Sequence, residues 1–307
     1  MDRARRAALG TLAALAALAA GAVTGRARAQ APTLASRAIP STGEKLPVIG
    51  LGTWQVFDVG ADPARRARLR EVLAEFARAG AKLVDSSAMY GTSESVLGDL
   101  ASDLGLHRQL FLATKVWTSG RDEGIRQMEL SFARLKTKRI DLLQVHNLVD
   151  VSTHTKSIDE LKRKGRVRYL GITHYVASAY PEVERLLRTR QYDFLQINYS
   201  IAEPEAAARL LPLAAERGVA VIANRPFAEG AMFRRVRGKP LPEWAASFGA
   251  ASWAQYFLKW ILGNPAITCA IPGTGRPEHM LDNLAAGRGA LPDGKMRKRM
   301  AEYYDAL

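Results

Sequence analysis

Asp85, Tyr90, Lys115 and His146 stand in that order, each in or just after a short apolar run. Asp85 ends Lys82-Leu83-Val84-Asp85, and Tyr90 follows five residues later, before Gly91. Lys115 closes the run 110–115 and His146 closes 140–146. Polar groups at the ends of successive buried strands are what an active site on a barrel requires. The four residue types also suit one reaction. A phenol is too weak an acid to protonate a carbonyl oxygen readily at neutral pH. A lysine cation beside it favours the phenolate and lowers its pKa. An aspartate balances that lysine, because a buried ammonium without a partner is too costly. A histidine then orients the carbonyl oxygen or shares the proton.

The elements that must carry these residues repeat along the chain. Apolar runs at 48–53, 82–85, 109–115, 140–145, 167–172, 193–197, 219–223 and 267–271 read as strands. Amphipathic stretches near 62–79, 92–104, 122–136, 156–164, 178–189, 204–217, 249–262 and 277–286 read as helices. Eight strand–helix pairs predict a (β/α)8 barrel of parallel strands. Gly80, Gly165 and Gly218 each follow a helical run as C-caps, and Pro181, Pro204 and Pro277 fit first turns. Residues 36–47 carry a turn at Ser41-Thr42-Gly43-Glu44 between two short extended runs. A Gly-, Pro- and Arg-rich insert spans 224–248, and a loop of that length is often functional. A last helix begins near Pro292.

With 48% hydrophobic and 24% charged residues, the 307-residue chain has an ordinary globular composition. Its only cysteine, Cys269, excludes an intramolecular disulfide and lies in an apolar run, so it reads as a packed thiol. The net charge is +14; residues 1–29 hold five arginines and Asp2, and without them +10 remains. The cations cluster at 162–168, 234–239 and 295–299. No aromatic residues interleave with them, so they read as solvated surface and no nucleic acid is expected. The histidines 107, 146, 154, 174 and 279 lack paired ligand spacing, so no metal is expected.

Residues 1–29 read as an export signal, leaving 30–307 as one barrel domain. Arg3, Arg5 and Arg6 precede an uncharged alanine- and leucine-rich run, and Ala27-Arg28-Ala29 offers a cleavage point. The apolar run is short and mild for a membrane span. Arg5-Arg6-Ala7-Ala8-Leu9 resembles the twin-arginine motif, which implies export machinery as a partner and delivery of a folded protein to the periplasm. An ordinary signal and a retained N-terminal anchor are the alternatives.

Six stretches together resemble the aldo-keto reductase family: Gly50-Leu51-Gly52-Thr53-Trp54, Asp85 to Tyr90-Gly91, Thr114-Lys115-Val116-Trp117, Asp141 to His146-Asn147, Gln196-Ile197-Asn198-Tyr199-Ser200 and Ile271-Pro272-Gly273-Thr274. They run in the family's order over most of the chain. The resemblance implies a TIM barrel with an N-terminal β-hairpin beneath it and an extra C-terminal helix. It implies NADPH-dependent reduction of an aldehyde or ketone, with Asp85, Tyr90, Lys115 and His146 as the catalytic set. Thr53, Trp54 and Asp85 would lie against the cofactor. Gln196 matches a nicotinamide-carboxamide contact, while the family's Ser-Asn pair is replaced by Thr173-His174. Asn224, followed by Arg225, Pro226 and Phe227, stands where the family often stacks an aromatic ring, and Arg225 is offered to the pyrophosphate. Gly273-Thr274-Gly275-Arg276 opens a helix, a place that exposes backbone N–H groups to phosphate. Arg276 is suited to a 2′-phosphate, and His279, Asp282 and Asn283 follow, the last two at family positions that contact adenine. Trp54, Trp117 and Asn147 would wall a pocket for a small apolar carbonyl substrate. Two further readings stand beside this one: a cofactor-loaded sensing or partner-binding subunit with little turnover, and a barrel isomerase or lyase using Lys115 as a Schiff base.

Overall fold

The computed structural model describes residues 33–307; the export signal expected at 1–29 lies outside the described residues. The hairpin comes first: β1 (Ser36–Ala38) pairs antiparallel with β2 (Lys45–Pro47). Eight parallel strands follow: β3 (Leu51–Gly52), β4 (Leu83–Asp85), β5 (Phe111–Val116), β6 (Ile140–His146), β7 (Val167–Thr173), β8 (Phe194–Asn198), β9 (Ala220–Asn224) and β10 (Ile267–Ala270). Each pairs with its neighbour in chain order. Bridges from Ile49 to Ala270 and from Gly52 to Gly273 bring the first and last strands together. That seam explains two glycines. A Cβ on Gly52 would lie 2.9 Å from the Ile271 carbonyl oxygen, and one on Gly50 would lie 2.8 Å from that of Leu83.

Helices α1 (Pro63–Arg78), α2 (Ser93–Asp103), α3 (Arg121–Arg134), α4 (Val151–Arg163), α5 (Tyr180–Thr189) and α6 (Leu210–Glu216) alternate with the strands. After β9 come α7 (Ala231–Arg235), within the insert, then α8 (Trp253–Leu262), α9 (Pro277–Ala285) and the terminal α10 (Gly294–Asp305). The turn chemistry acts as read. Asp62 caps α1 by accepting from Arg65 N at 3.0 Å, and Gly80, Gly165 and Gly218 all take the left-handed conformation that a helix C-cap favours. Three boundaries differ from expectation. α4 starts at Val151 rather than 156, because buried His154 and Thr155 anchor a turn whose β-branched residues disfavour helix. The stretch 204–217 splits into a single turn, Glu205–Ala207, and α6, so Pro204 precedes the turn instead of entering a long helix. α8 waits for Ser252, which accepts from Gln255 N at 3.1 Å.

Strand alternation explains the lumen. Leu83, Phe111, Ala113, Leu142, Tyr169, Phe194, Ala220, Ile222, Cys269 and Ile271 form one buried cluster, closed below by Ile39 and Leu46 of the hairpin segment. Cys269 is fully buried, as expected. Two residues further along the same strands stand Asp85, Lys115, Gln144, Gln196 and Asn224, and Thr173 stands four beyond Tyr169. The lumen is therefore apolar in its middle and polar toward the strand ends. The basic run at 162–168 is largely paired: Lys162 with Asp193 at 2.5 Å, Arg166 with Glu129, and Arg168 with both Glu44 and Asp141. Among the described residues no helix is long and apolar enough to cross a membrane, and no cluster of metal-ligating side chains occurs.

Candidate active site

A cleft of about 630 Å³ opens over the polar end of the lumen. Asp85, Tyr90, Lys115 and His146 all line it, although they come from the ends of β4, β5 and β6 and from the loop after β4. Lys115 is almost fully buried, and its ammonium donates to Asp85 Oδ2 and to the Ser86 carbonyl, both at 2.6 Å. The same Nζ lies 4.8 Å from the centre of the Tyr90 ring. His146 meets that ring edge-on, with centroids 5.8 Å apart. The arrangement places one phenol, one ammonium and one imidazole around a single point on the cleft floor.

The electrostatics correct one expectation. Burial pushes the Tyr90 phenol up by more than Lys115 pulls it down, and Asp85 adds to the rise. The phenol is therefore less acidic than a free tyrosine. Burial decides the direction, and Asp85 offsets part of the pull of Lys115. The ammonium itself is lowered by burial but raised further by Asp85 and Tyr90, so it stays charged. His146 falls to about 2, through burial first and then the charges of Lys115 and His174. It is neutral at any working pH. Ser87 Oγ accepts from Met89 N at 3.4 Å and lies 3.1 Å from His146 Nδ1. That leaves the serine proton for Nδ1 and favours a ring whose N–H is on Nε2, a donor.

The expected binding residues divide into two groups. Thr53, Trp54, Asp85, Thr173, Gln196, Asn224, Arg225, Pro226, Phe227 and Gly273 line the cleft, as do Trp117 and Asn147. His174, Thr274, Gly275, Arg276, His279, Asp282 and Asn283 do not. His174 is turned away: it stacks on Tyr175, and its Nδ1 accepts from the backbone N–H groups of Tyr175 and Val176. Asp282 is consumed structurally, accepting from Ser252 at 2.7 Å and Gln255 at 2.6 Å at the start of α8. Arg276 caps α9 with an exposed side chain paired to Glu278 at 2.8 Å. Arg225 is held by Glu203 at 3.1 Å and by Glu229, so an anion reaching it must compete with two carboxylates. Thr53 donates to Ser86 at 2.9 Å.

The residues present fit a nicotinamide dinucleotide. Asn224 gives its amide N–H to the His174 carbonyl at 3.1 Å, leaving its Oδ1 buried without a partner. Asn147 Oδ1 is likewise buried and unpartnered. Acceptors of this kind suit a carboxamide, and Arg225 and Arg276 supply cations for phosphates. The remaining surface is apolar. Among the described residues, five of the seven large hydrophobic side chains left exposed line this one cleft: Trp54, Met89, Trp117, Tyr175 and Phe233.

Sequence reasoning missed Gln144, Ser87, Met89, Tyr175 and Glu203, and reached Phe233 and Glu229 only as members of the 224–248 insert. Only Gln144 carried a readable signal, since it precedes His146 by two residues and so shares its face of the strand. Left-handed backbone at Gln55, Asn147, Leu148, Asp150, Arg225, Ala228 and Glu229 follows the ends of β3, β6 and β9 around the cleft, where strain is often kept for function.

Comparison with known proteins agrees with the barrel fold. A family model described as the aldo/keto reductase family matches residues 48–301. Methylglyoxal reductase YeaE of Escherichia coli is 26% identical over 248 residues, covering 78% of this chain and 85% of the relative. An aldo-keto reductase of Mycobacterium sp. (strain KMS) is 29% identical over 254 residues, covering 79% and 84%. A crystal structure of an aldo-keto reductase from Klebsiella pneumoniae in complex with NADPH superposes with a TM-score of 0.74 at 24% identity, covering 90% of this chain and 96% of that one.

Proposed function

The chain belongs to the aldo/keto reductase family, NAD(P)H-dependent oxidoreductases, and from that premise we propose that it reduces an apolar aldehyde or ketone to the alcohol using NADPH. The observation that carries the reading is the Tyr90 phenol on the cleft floor, between the buried Lys115–Asp85 pair and the His146 ring. NADPH, when bound, supplies hydride. The chain supplies the rest. His146, neutral and carrying its proton on Nε2, donates to the carbonyl oxygen and holds it toward Tyr90. Tyr90 gives its proton to that oxygen as negative charge develops there, and Lys115 stabilises the phenolate left behind. Asp85 keeps Lys115 charged and aimed. Trp54, Trp117, Tyr175, Met89 and Phe233 favour an apolar substrate and exclude water. Arg276 reads the 2′-phosphate, and Arg225 takes the pyrophosphate once Glu229 lets go.

The test is steady-state oxidation of NADPH by the purified protein with a panel of aromatic and aliphatic aldehydes. Turnover that favours the aromatic members supports the reading. Tight NADPH binding with no turnover of any aldehyde would favour a cofactor-loaded binding subunit instead. Its export as a folded, cofactor-bearing protein is part of the proposal and rests on Arg5-Arg6. Arg5→Lys with Arg6→Lys should strand it in the cytoplasm, and normal export of that double variant would refute the route.

A further inference from the structure

Gln144 has no part in the reaction just described and does not line the cleft, yet it closes the hydrogen-bond network beneath it. Its amide nitrogen gives one hydrogen to Asp85 Oδ1 at 3.2 Å and the other to Gln196 Oε1 at 2.9 Å. Gln196 returns a bond from its own nitrogen to Asp85 Oδ2 at 3.1 Å. The three residues form a closed triangle from three strands, β4, β6 and β8. Its polarity is forced. Turning either amide over would press a carbonyl oxygen against the carboxylate. Gln144 is also the register partner of Lys115 across β5 and β6. It is fully buried, and its own Oε1 has no hydrogen-bond partner. An orphaned buried acceptor costs stability, and a methionine of similar volume would remove it only by taking the donors from Asp85 Oδ1 and Gln196 Oε1. Both of its bonds go to groups of the site itself, Asp85 and Gln196.

We infer that Gln144 is a positioning residue: by donating at once to Asp85 and Gln196 it fixes the Asp85 carboxylate, and through it the Lys115 ammonium, beneath the Tyr90 ring. The consequence is electrostatic. Tyr90 is faced by Lys115 from β5, by Asp85 from β4 and by the neutral His146 from β6. Donors on Asp85 spread its negative charge and weaken its hold on Lys115. Without the Gln144 donor, Asp85 binds the ammonium more fully and opposes the phenolate more strongly. Gln196 is also freed to swing.

The inference rests on the reductase reading, so the experiment measures both. NADPH-dependent reduction by the wild type is assayed first, then the pH dependence of the reverse reaction with NADP+ and the corresponding alcohol, in wild type and Gln144→Met. Below the pKa, the phenolate fraction falls about tenfold per unit rise in pKa. Gln144→Met is expected to lower kcat for alcohol oxidation about tenfold near neutrality. The loss should be recovered by raising the pH about one unit, because the limb set by Tyr90 has moved up by roughly that much. A site merely loosened by the substitution would lose kcat at every pH. An unshifted profile overturns the inference. So does a variant that fails to fold, since the amide would then serve stability after all. No turnover by the wild type overturns the reductase reading and this inference with it.

Discussion

The two ends of the barrel lumen carry similar chemistry put to different uses. At the strand ends Asp85, Lys115 and Tyr90 meet beneath an open cleft. At the opposite end Glu44, Asp141, Arg168 and Tyr169 meet beside the hairpin turn, where Tyr169 donates to Glu44 at 2.7 Å and shares a 2.8 Å bond with Thr42. Both places have a carboxylate, a cation and a phenol whose pKa is raised, chiefly by burial. They differ in two respects. The lower cation is an arginine, driven still higher by Asp141 and Glu44 against burial, and its planar fork is shared between those two carboxylates. The upper cation is a lysine, a point charge on a flexible stem. The lower phenol has its proton engaged by the hairpin. The upper phenol lines the open cleft beside the Lys115 ammonium and a neutral imidazole. Acid–carboxylate–cation composition alone makes no catalyst; access and an uncommitted proton do.

The sharpest way to break this contrast is to remove each phenol in turn. Tyr90→Phe should lower reductase turnover by about 10²–10⁴-fold, the usual worth of general acid catalysis, with thermal melting unchanged. Tyr169→Phe should leave turnover alone and lower the unfolding free energy by about 1.5–3 kcal/mol, the value of a bond to a charged group. Similar turnover losses in both variants would erase the distinction between the two ends.

The cations offer a second comparison. Lys115→Met leaves Asp85 buried without its ion partner, so urea unfolding should show a loss of about 3–5 kcal/mol. Arg168→Met releases Glu44, which water can reach, and Asp141, which is buried but still accepts from Leu112 N, so the loss should be smaller, about 1.5–3 kcal/mol. Equal costs would show that depth is not what separates the pairs. At the rim, Arg276→Ala should weaken NADPH binding by roughly 10- to 150-fold and leave NADH unaffected, judged by fluorescence titration. Parallel losses would mean that Arg276 does not read the 2′-phosphate.

A further effect is in acid, and it belongs to the upper end alone. His146 titrates at about 2 in the fold and near 6.5 when unfolded. Below 6.5 the unfolded chain gains a proton that the fold does not, so stability declines as pH falls from 6.5 toward 2. The slope from this residue is about 1.4 kcal/mol per pH unit. His146→Asn should flatten the stability profile between pH 6.5 and 5 without altering it above pH 8. An unchanged slope would place a proton on His146 in the fold.

The strands were legible because parallel strands buried on both faces read as continuous apolar runs. The candidate side chains were legible because Asp85, Lys115 and His146 stand at or next to the ends of those runs and Tyr90 follows one. What escaped depends on distances across the lumen. Gln144 meets Gln196 from β6 to β8, strands that are not neighbours, and no spacing in the chain reveals that contact. Arg225 could be offered to a phosphate, but its capture by Glu203 and Glu229 follows from the left-handed backbone at Arg225, Ala228 and Glu229. Asp282 read as a nucleotide contact because nothing local showed that Ser252 and Gln255 would claim it. The acidity of Tyr90 was misjudged because burial, which decides it, belongs to the folded state. The start of α4 was hidden by Val151, Thr153 and Thr155, whose branching argues against helix until packing overrules it.

Cys269 turns the closed seam between the first and last strands into a built-in reporter. It is the chain's only thiol, fully enclosed, with burial raising its pKa further out of reach of alkylating reagents. A reagent can meet it only after β10 parts from the barrel. The rate of thiol labelling therefore measures how often the staves separate, and a ligand that grips the upper rim will be seen as a slower clock.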